Sequence, residues 1–568
     1  MAEYSTSNAL HCNQPSTPKG GWHAAIFIMC VEFTDRFAYY GLTGNLIQYL
    51  TEVLHQPTAT ASKNVNTFIG VSALFPLLGG FLADSYLGRF NTIVASSIIY
   101  VLGMVLLTLS ASVLKNSTLF FVALYILSIG DGGHKPCVQT FAANQFNDDS
   151  PEEKIAKSSF FNYWYLGLVA GGLASSIAIY IEDNAGWVTG LEVITGAVAI
   201  ALVLFFLGTT TYRNEGPTGS PFTSMAQVFV ASIRKRRVGT TLDPHIYWFR
   251  EDEHKHNMCP LQSQPKSPPL AYTHQFRFLD KAMVIDDLDA SSKTRNPWRL
   301  CSVTQVEEVK LLLRLIPIWL SCLMFFVVQA QLNTFIVKQG ETMNRSIGPH
   351  FQIPPAALQS IVSVIILIIV PIYDRLFVPF ARKFTGHPSG ITVLQRIGLG
   401  LFVSVLNMIV AALLEAKRVG VARDDNLLEN PNKTILPIMS VWWMLPQYAI
   451  FGVSNALAIV GLQQLFYSEV AETMRSLGAA AYISLFGIGT LASNVVISVV
   501  EDVSSATGEK WLAGNNLNRA HLDCFYWVLA ALSAVNLCIY ILVARNFVYK
   551  KEINVVDPSI NNIDHDQV

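Results

Sequence analysis

The sequence predicts an all-α integral membrane protein with about twelve transmembrane helices in two halves of about six. Three observations predict it. Of 568 residues, 51% are hydrophobic and only 14% are charged, whereas soluble domains carry about 25% charged residues. Mean hydropathy over the whole chain is +0.38. The apolar residues also gather into segments of about 20, the length a helix needs to cross a bilayer core of about 30 Å. So little charge cannot cover the surface of several soluble domains, and so apolar a chain is not intrinsically disordered. Net charge is −1, so no nucleic-acid partner is expected.

Residues 1–22 form a polar tail with no apolar region behind a basic start, so no cleaved signal peptide is expected there. Six apolar windows follow in residues 23–212, near 24–47, 66–86, 92–113, 117–142, 158–182 and 188–210. The fourth contains Gly130, Gly132, Gly133 and Pro136, helix breakers that are tolerated where the backbone faces protein or a cavity. Residues 213–306 are a long polar linker with the run Arg234-Lys235-Arg236-Arg237 and the pair Pro268-Pro269. The run reads as a cytoplasmic basic stretch, amphipathic and lying on the membrane surface. Six more windows occupy residues 307–547, near 309–331, 355–378, 392–415, 436–461, 473–499 and 523–547, before a tail at 548–568.

Lysine and arginine in the connections set the orientation. Arg89, Lys154, Lys157, the 234–237 run, Arg382, Lys383, Arg475, Lys550 and Lys551 fall on one side, so both termini are expected to be cytoplasmic. The sequons at Asn116, Asn344 and Asn432 fall on the other side, as glycosylation of an extracellular or lumenal face requires. The eight cysteines are scattered, without a CxxC pair, so neither a disulfide framework nor a metal site is expected.

An internal repeat is visible. Gly79-Gly80-Phe81-Leu82-Ala83-Asp84-Ser85-Tyr86-Leu87-Gly88-Arg89 closes the second span. Its carboxylate and basic turn suit a breakable cytoplasmic latch of Asp84, Gly88 and Arg89. A weaker counterpart, Tyr373-Asp374-Arg375 with Arg382-Lys383, follows the eighth span. It fits a second latch and a simple positive-inside anchor equally.

Ionisable groups inside spans are costly and mark functional paths. Glu32, Asp35 and Arg36 lie three and four residues apart in the first span and share one helix face. Two carboxylates beside one guanidinium leave one that favours its protonated form, as a proton carrier must. Tyr39 and Tyr40 follow one turn later and either line a polar cavity or pack in the core. In the fourth span Asp131 and Lys135 can pair at i,i+4. His134 titrates near neutral pH when exposed, although a lone histidine there is more often a packing residue. The second half supplies neutral polar groups instead: Gln329, Gln331, Asn333 and Asn455.

Together Glu32 to Gly41, Gly79 to Thr92 and Gly130-Asp131-Gly132-Gly133-His134-Lys135-Pro136 resemble the plant nitrate/peptide transporter family. That family lies within the proton-dependent oligopeptide transporters of the major facilitator superfamily. Phe160-Phe161-Asn162, the stretch from Val306 to Trp319 and Gln395-Arg396-Ile397-Gly398-Leu399-Gly400 extend the likeness over nearly the whole chain. The resemblance implies two six-helix bundles, alternating access and proton symport. The family's first-helix E-x-x-E-R motif falls on Glu32, Asp35 and Arg36, with the second acid one methylene shorter. Its fourth-helix lysine falls on Lys135, and the tenth-helix glutamate that pairs with it falls on Asn455. Asp131, where threonine is usual, is expected to replace that carboxylate in part from within its own helix. The histidine that contacts nitrate in one relative falls on Gln329. Tyr40 matches a tyrosine used by peptide carriers, and Thr92 matches a phosphorylated threonine. Val169 stands where the family usually has asparagine, a mark of divergence.

The expected function is proton-coupled symport of nitrate or another small anion. The alternatives are di- or tripeptides, larger specialised metabolites or hormones, and a membrane sensor with little transport. No nucleophile–base pair or metal cluster suggests an enzyme. The expected partners are substrate, protons as the coupling ion, lipid and a kinase at Thr92, with no other cofactor. The plasma membrane and the vacuolar membrane fit the orientation equally.

Overall fold

A computed structural model describes residues 20–114, 116–146, 151–214, 216, 221–237, 272–286, 288–289, 296–348, 351–386, 390–424, 436–471, 474–506, 508, 511–512 and 516–550. The described chain is almost wholly helical. The first helices are α1 (Gly21–Gln48), α2 (Thr58–Leu82), α3 (Arg89–Leu109), α4 (Ser117–Ala143), α5 (Pro151–Ala185) and α6 (Trp187–Leu207). The linker supplies α7 (Pro221–Arg234). Then come α8 (Val303–Ser321), α9 (Leu323–Ala330), α10 (Phe335–Glu341), α11 (Ser360–Ile372), α12 (Val378–Thr385), α13 (Val393–Asp424), α14 (Leu445–Ser468), α15 (Arg475–Ala506) and α16 (Leu522–Arg545).

Among the described residues, 8 helices are long and apolar enough to cross a membrane, or 9 if Val303–Ser321 and Leu323–Glu341, bent by 47°, form one span. The helices α1 and α4 have 28 and 27 residues but fall outside that apolar set. They carry the buried charges of the next subsection. The window expected near 436–461 is helical only from Val441 onward, because Leu436–Ser440 is a strand paired in parallel with Met343–Asn344.

Two compact units form. One comprises Met1–Leu42 and Leu87–Pro217, the other Thr43–Tyr86 and Thr218–Val568. In the first, the glycines of α4 lie inside a continuous helix and bring α3 close. A Cβ on Gly130 would meet the Tyr100 backbone N at 2.7 Å, and one on Gly133 would meet Ser96 Cβ at 2.8 Å. In the second, α2 packs on α15 through Gly70, where a Cβ would meet Leu491 Cγ at 2.6 Å.

Gly88 joins α2 to α3 at φ 74° and ψ 156°, a region essentially restricted to glycine. A π-helical turn, Ala83–Leu87, precedes it, and Tyr373–Phe377 forms the same kind of turn after α11. The two halves of the sequence repeat thus share a π-turn, a kind of turn that also follows α1 at Tyr49–Val53 and α3 at Ser110–Leu114.

The linker corrects one expectation. Helix α7 is amphipathic, but Val228 and Ala231 pack into a protein core with Leu279, Met283 and Val306. Lys235, from the middle of the basic run, is 1% exposed. It donates to the Val284 carbonyl at 2.6 Å and pairs with Asp289, which also holds Arg299. Burial of α7 against protein has absorbed this lysine, while Arg236 and Arg237 remain exposed.

Gly130→Val should therefore separate α3 from α4 and destabilise the protein by about 1–3 kcal/mol. Gly196→Ala, with nothing within 4 Å of the new Cβ, should be neutral. Thermal unfolding of the two purified variants checks this; equal midpoints would refute the contact argument.

Candidate functional site

The charges of α1 and α4 meet in the first unit. Glu32 and Arg36 stand one turn apart, and the Arg36 Nε donates to Glu32 Oε1 at 2.8 Å. A second guanidinium nitrogen lies 2.8 Å from the same oxygen. On α4, Lys135 Nζ donates to Asp131 Oδ2 at 2.6 Å, also across one turn. The Lys135 ammonium sits 3.7 Å from the centroid of the Tyr39 ring, a cation–π contact that ties α4 to α1. Tyr39 in turn meets Tyr40 edge-on at 5.5 Å. Glu32, Asp35 and Asp131 are all buried. Where α5 passes α1 it does so at Gly171, whose Cβ would meet the Phe33 carbonyl O at 2.5 Å.

A cavity opens beside this cluster, lined by Thr34, Asp35, Tyr100 and His134 and by apolar side chains of α6 such as Val198 and Phe205. Asp35 Oδ2, Asp131 Oδ1 and His134 Nδ1 are buried without a hydrogen-bond partner. Sequence reasoning did not single out Tyr100 and ranked His134 as packing. Nothing in its one-dimensional spacing could bring α3 to this face.

The neutral polar set of the second unit separates into two groups. Gln329 and Asn455 are both buried and face each other: the Gln329 amide donates to Asn455 Oδ1, and Asn455 Nδ2 approaches Gln329 Oε1 at 3.4 Å. Gln331 instead donates to the Val327 carbonyl at 2.8 Å and to Ser493 on α15 at 3.0 Å. Asn333 is half-buried in the short turn after α9. An ion pair missed in the sequence joins α2 to α15, with Lys63 Nζ 2.7 Å from Glu501 Oε2. Its members are 438 residues apart, so no local pattern announces it.

At the expected gate, Asp84 lies in the π-turn and Arg89 opens α3. Thr92 is buried, and its hydroxyl donates to the Gly88 carbonyl at 2.9 Å. A kinase would reach it only if the first turn of α3 opened. Asn116 caps α4, accepting from the Leu119 amide at 3.2 Å through Oδ1. Asn344 lies in the short strand and accepts from Ser346. Asn432 lies outside the described residues.

The sequence model of the POT family matches residues 90–512. The chain belongs to the POT family. It is 54% identical to Protein NRT1/ PTR FAMILY 5.4 of Arabidopsis thaliana over 543 residues, covering 94% of this chain and 96% of that protein. It is 45% identical to Protein NRT1/ PTR FAMILY 5.10 of the same plant over 559 residues, 95% of each chain. Among solved structures, an auto-inhibited POT family peptide transporter aligns with a TM-score of 0.68 at 19% identity, covering 94% of this chain and 99% of that one. A POT family transporter in complex with 5-aminolevulinic acid aligns at 0.63 and 14%, with the same coverage. At such identities the likeness is one of fold. This POT family member is a multi-pass membrane transporter, as the resemblance implied.

Asp131→Asn would leave the half-buried Lys135 ammonium without its carboxylate. It should cost up to about 3 kcal/mol, and the double variant Asp131→Asn/Lys135→Met should recover most of it. Denaturation of both in the same detergent checks the pairing; equal losses would show that the two side chains act independently.

Proposed function

We propose that this transporter is a proton-coupled symporter that moves nitrate or another small anion by alternating access. The observation that carries the reading is the pair of buried Asp131 and half-buried Lys135, 2.6 Å apart, with the ammonium over the Tyr39 ring. A proton on Asp131 would cancel its charge and leave the Lys135 ammonium uncompensated. An anion then restores neutrality, so proton and anion load together. Neither loads alone without an unpaired buried charge, which is strongly unfavourable. Asp131 thus does in part, from within its own helix, what the family's tenth-helix glutamate does from outside it.

Gln329 and Asn455 support a neutral role for the second unit. Amides orient an anion through N–H donors but carry no proton. They are bonded to each other, so a substrate that uses them must open that pair. Glu32, Asp35 and Arg36 are the groups through which proton coupling is expected to run, and Asp84, Gly88 and Arg89 form the proposed cytoplasmic latch.

A second reading is di- or tripeptide symport. Tyr40 is present and 44% exposed, and a solved relative is named as a peptide transporter. Against it, position 455 holds an amide where a peptide's amino group would need a carboxylate. Larger metabolites and a sensor with little transport follow in that order. The plasma membrane and the vacuolar membrane both fit.

Uptake into proteoliposomes under an imposed pH gradient tests the proposal, with labelled nitrate and a labelled dipeptide offered separately. Nitrate uptake should collapse with the gradient and fall at least tenfold in Glu32→Gln. Asp131→Thr should break the link between gradient and uptake. Proton-driven nitrate transport unchanged in Asp131→Thr would sink the role given to that residue, and dipeptide uptake without nitrate uptake would favour the second reading.

A further inference from the structure

The buried charges of α1 and α4 do not balance. Glu32 is compensated by Arg36 and Asp131 by Lys135. Among the described residues Asp35 forms no salt bridge with a lysine or arginine, although Arg36 and Lys135 lie near enough to act on it electrostatically. It is 7% exposed, and its Oδ2 has no hydrogen-bond partner. A carboxylate so deeply buried must be neutralised, by a proton of its own or by a neighbouring positive charge. Across the cavity stands His134, itself 5% exposed, with its Nδ1 3.9 Å from Asp35 Oδ1 and also without a hydrogen-bond partner. At 3.9 Å the two atoms are too far apart for a direct hydrogen bond, but a single bridging water spans such a gap.

We infer that His134 is the buried proton-binding group of this unit and that Asp35 is its counter-ion. In the symport reading above, on which its place in the transport cycle rests, it receives the coupled proton first, and Asp131 takes that proton only as the anion loads. A proton entering the cavity forms an N–H bond at Nδ1, and the imidazolium so made compensates the Asp35 carboxylate. The same N–H bond breaks when the proton leaves to water, and the site returns to its neutral imidazole. No electron transfer is involved.

The surroundings favour this over the alternatives. From α1 the site is faced by Glu32 and Arg36 as well as Asp35, and from α4 by Asp131 and Lys135. Helix α3 supplies Tyr100, whereas the lining from α6 is apolar. Helix α5 meets α1 at Gly171. Glu32, Asp35 and His134 also present ligand atoms within 4.8 Å of one another, as a metal site would. Yet Glu32 Oε1 already accepts from Arg36, and a guanidinium against that oxygen repels a divalent cation. One positive charge is what the site lacks, and a proton on His134 supplies one.

The test needs no substrate. Infrared difference spectra of the purified full chain, recorded as pH is lowered from 8 to 5, report imidazolium formation. Subtracting the His134→Gln titration isolates this histidine from the other eleven in the 12-histidine chain. The expected result is an imidazolium band that His134→Gln removes. In Asp35→Asn the band should appear only at a proton concentration at least tenfold higher. A His134→Gln titration identical to that of the wild type would overturn the assignment, as would an Asp35→Asn variant whose band is unmoved. Binding of Zn2+ at micromolar concentration, abolished by Glu32→Gln, Asp35→Asn and His134→Gln alike, would overturn it in favour of a metal. If His134→Gln does not fold, the Asp35→Asn shift against wild type decides by itself. Gradient-driven uptake is measured alongside. A wild type with the band but without proton-driven uptake of either nitrate or dipeptide would refute the symport reading and leave the proton site standing. Uptake present without the band would do the reverse.

Discussion

A charge inside an apolar helix must be compensated at once, and in this protein the compensating charge usually comes from the same helix. Glu32 with Arg36 and Asp131 with Lys135 pair across one turn at i,i+4. Glu307 with Lys310, Lys338 with Glu341 and Glu415 with Arg418 do so at i,i+3. Local pairing of this kind forms together with the helix and does not wait for a partner elsewhere in the fold. The Glu415–Arg418 pair shows the limit of the device. Both residues are fully buried, and Arg418 spends its remaining donors on Asn518 Oδ1 at 2.6 Å, the Leu517 carbonyl at 2.9 Å and the Thr342 hydroxyl at 3.1 Å. Every added hydrogen bond there offsets desolvation. Asp35 is the exception among the buried carboxylates of α1 and α4, which is why chemistry is sought beside it.

Close helix contact is the second constraint, and it decides where the charges can meet. The glycines of α4 allow α3 to approach until backbones touch, and Gly171 allows α5 to do the same on α1. Side chains on those faces would push the helices apart and widen the cavity that Asp35 and His134 share. Pro136 sits in the middle of this arrangement without ending the helix. A freed carbonyl is tolerable in a helix whose neighbours lie so near.

The second unit solves its polar problem differently. Two of its inner amides are held by neutral partners, with Gln329 bonded to Asn455 and Gln331 to the Ser493 hydroxyl. Its charges gather at the edges of the helices. Lys310 is bound by Asp280 at 2.6 Å and Glu307 at 2.7 Å, which draws the chain around 272–283 onto α8. Together with the buried Lys235 this makes the described part of the linker a packed element rather than a tether.

The sequence by itself determined that the protein lies in a membrane, which residues of the first span carry charge, and which pairs stand a turn apart. Those are properties of composition and of the 3.6-residue period, and the Asp131–Lys135 pair was legible for that reason. The repeat at Gly79 to Arg89 and its weaker copy was legible too, although not the π-turns that both adopt. Tertiary structure alone decided the rest. It brought Tyr100 and Asp35 to His134, set Lys135 over Tyr39, turned Gln329 toward Asn455 and joined Lys63 to Glu501. Each of these contacts lies between helices, where the close approach of glycine faces, and not spacing along the chain, fixes what meets what.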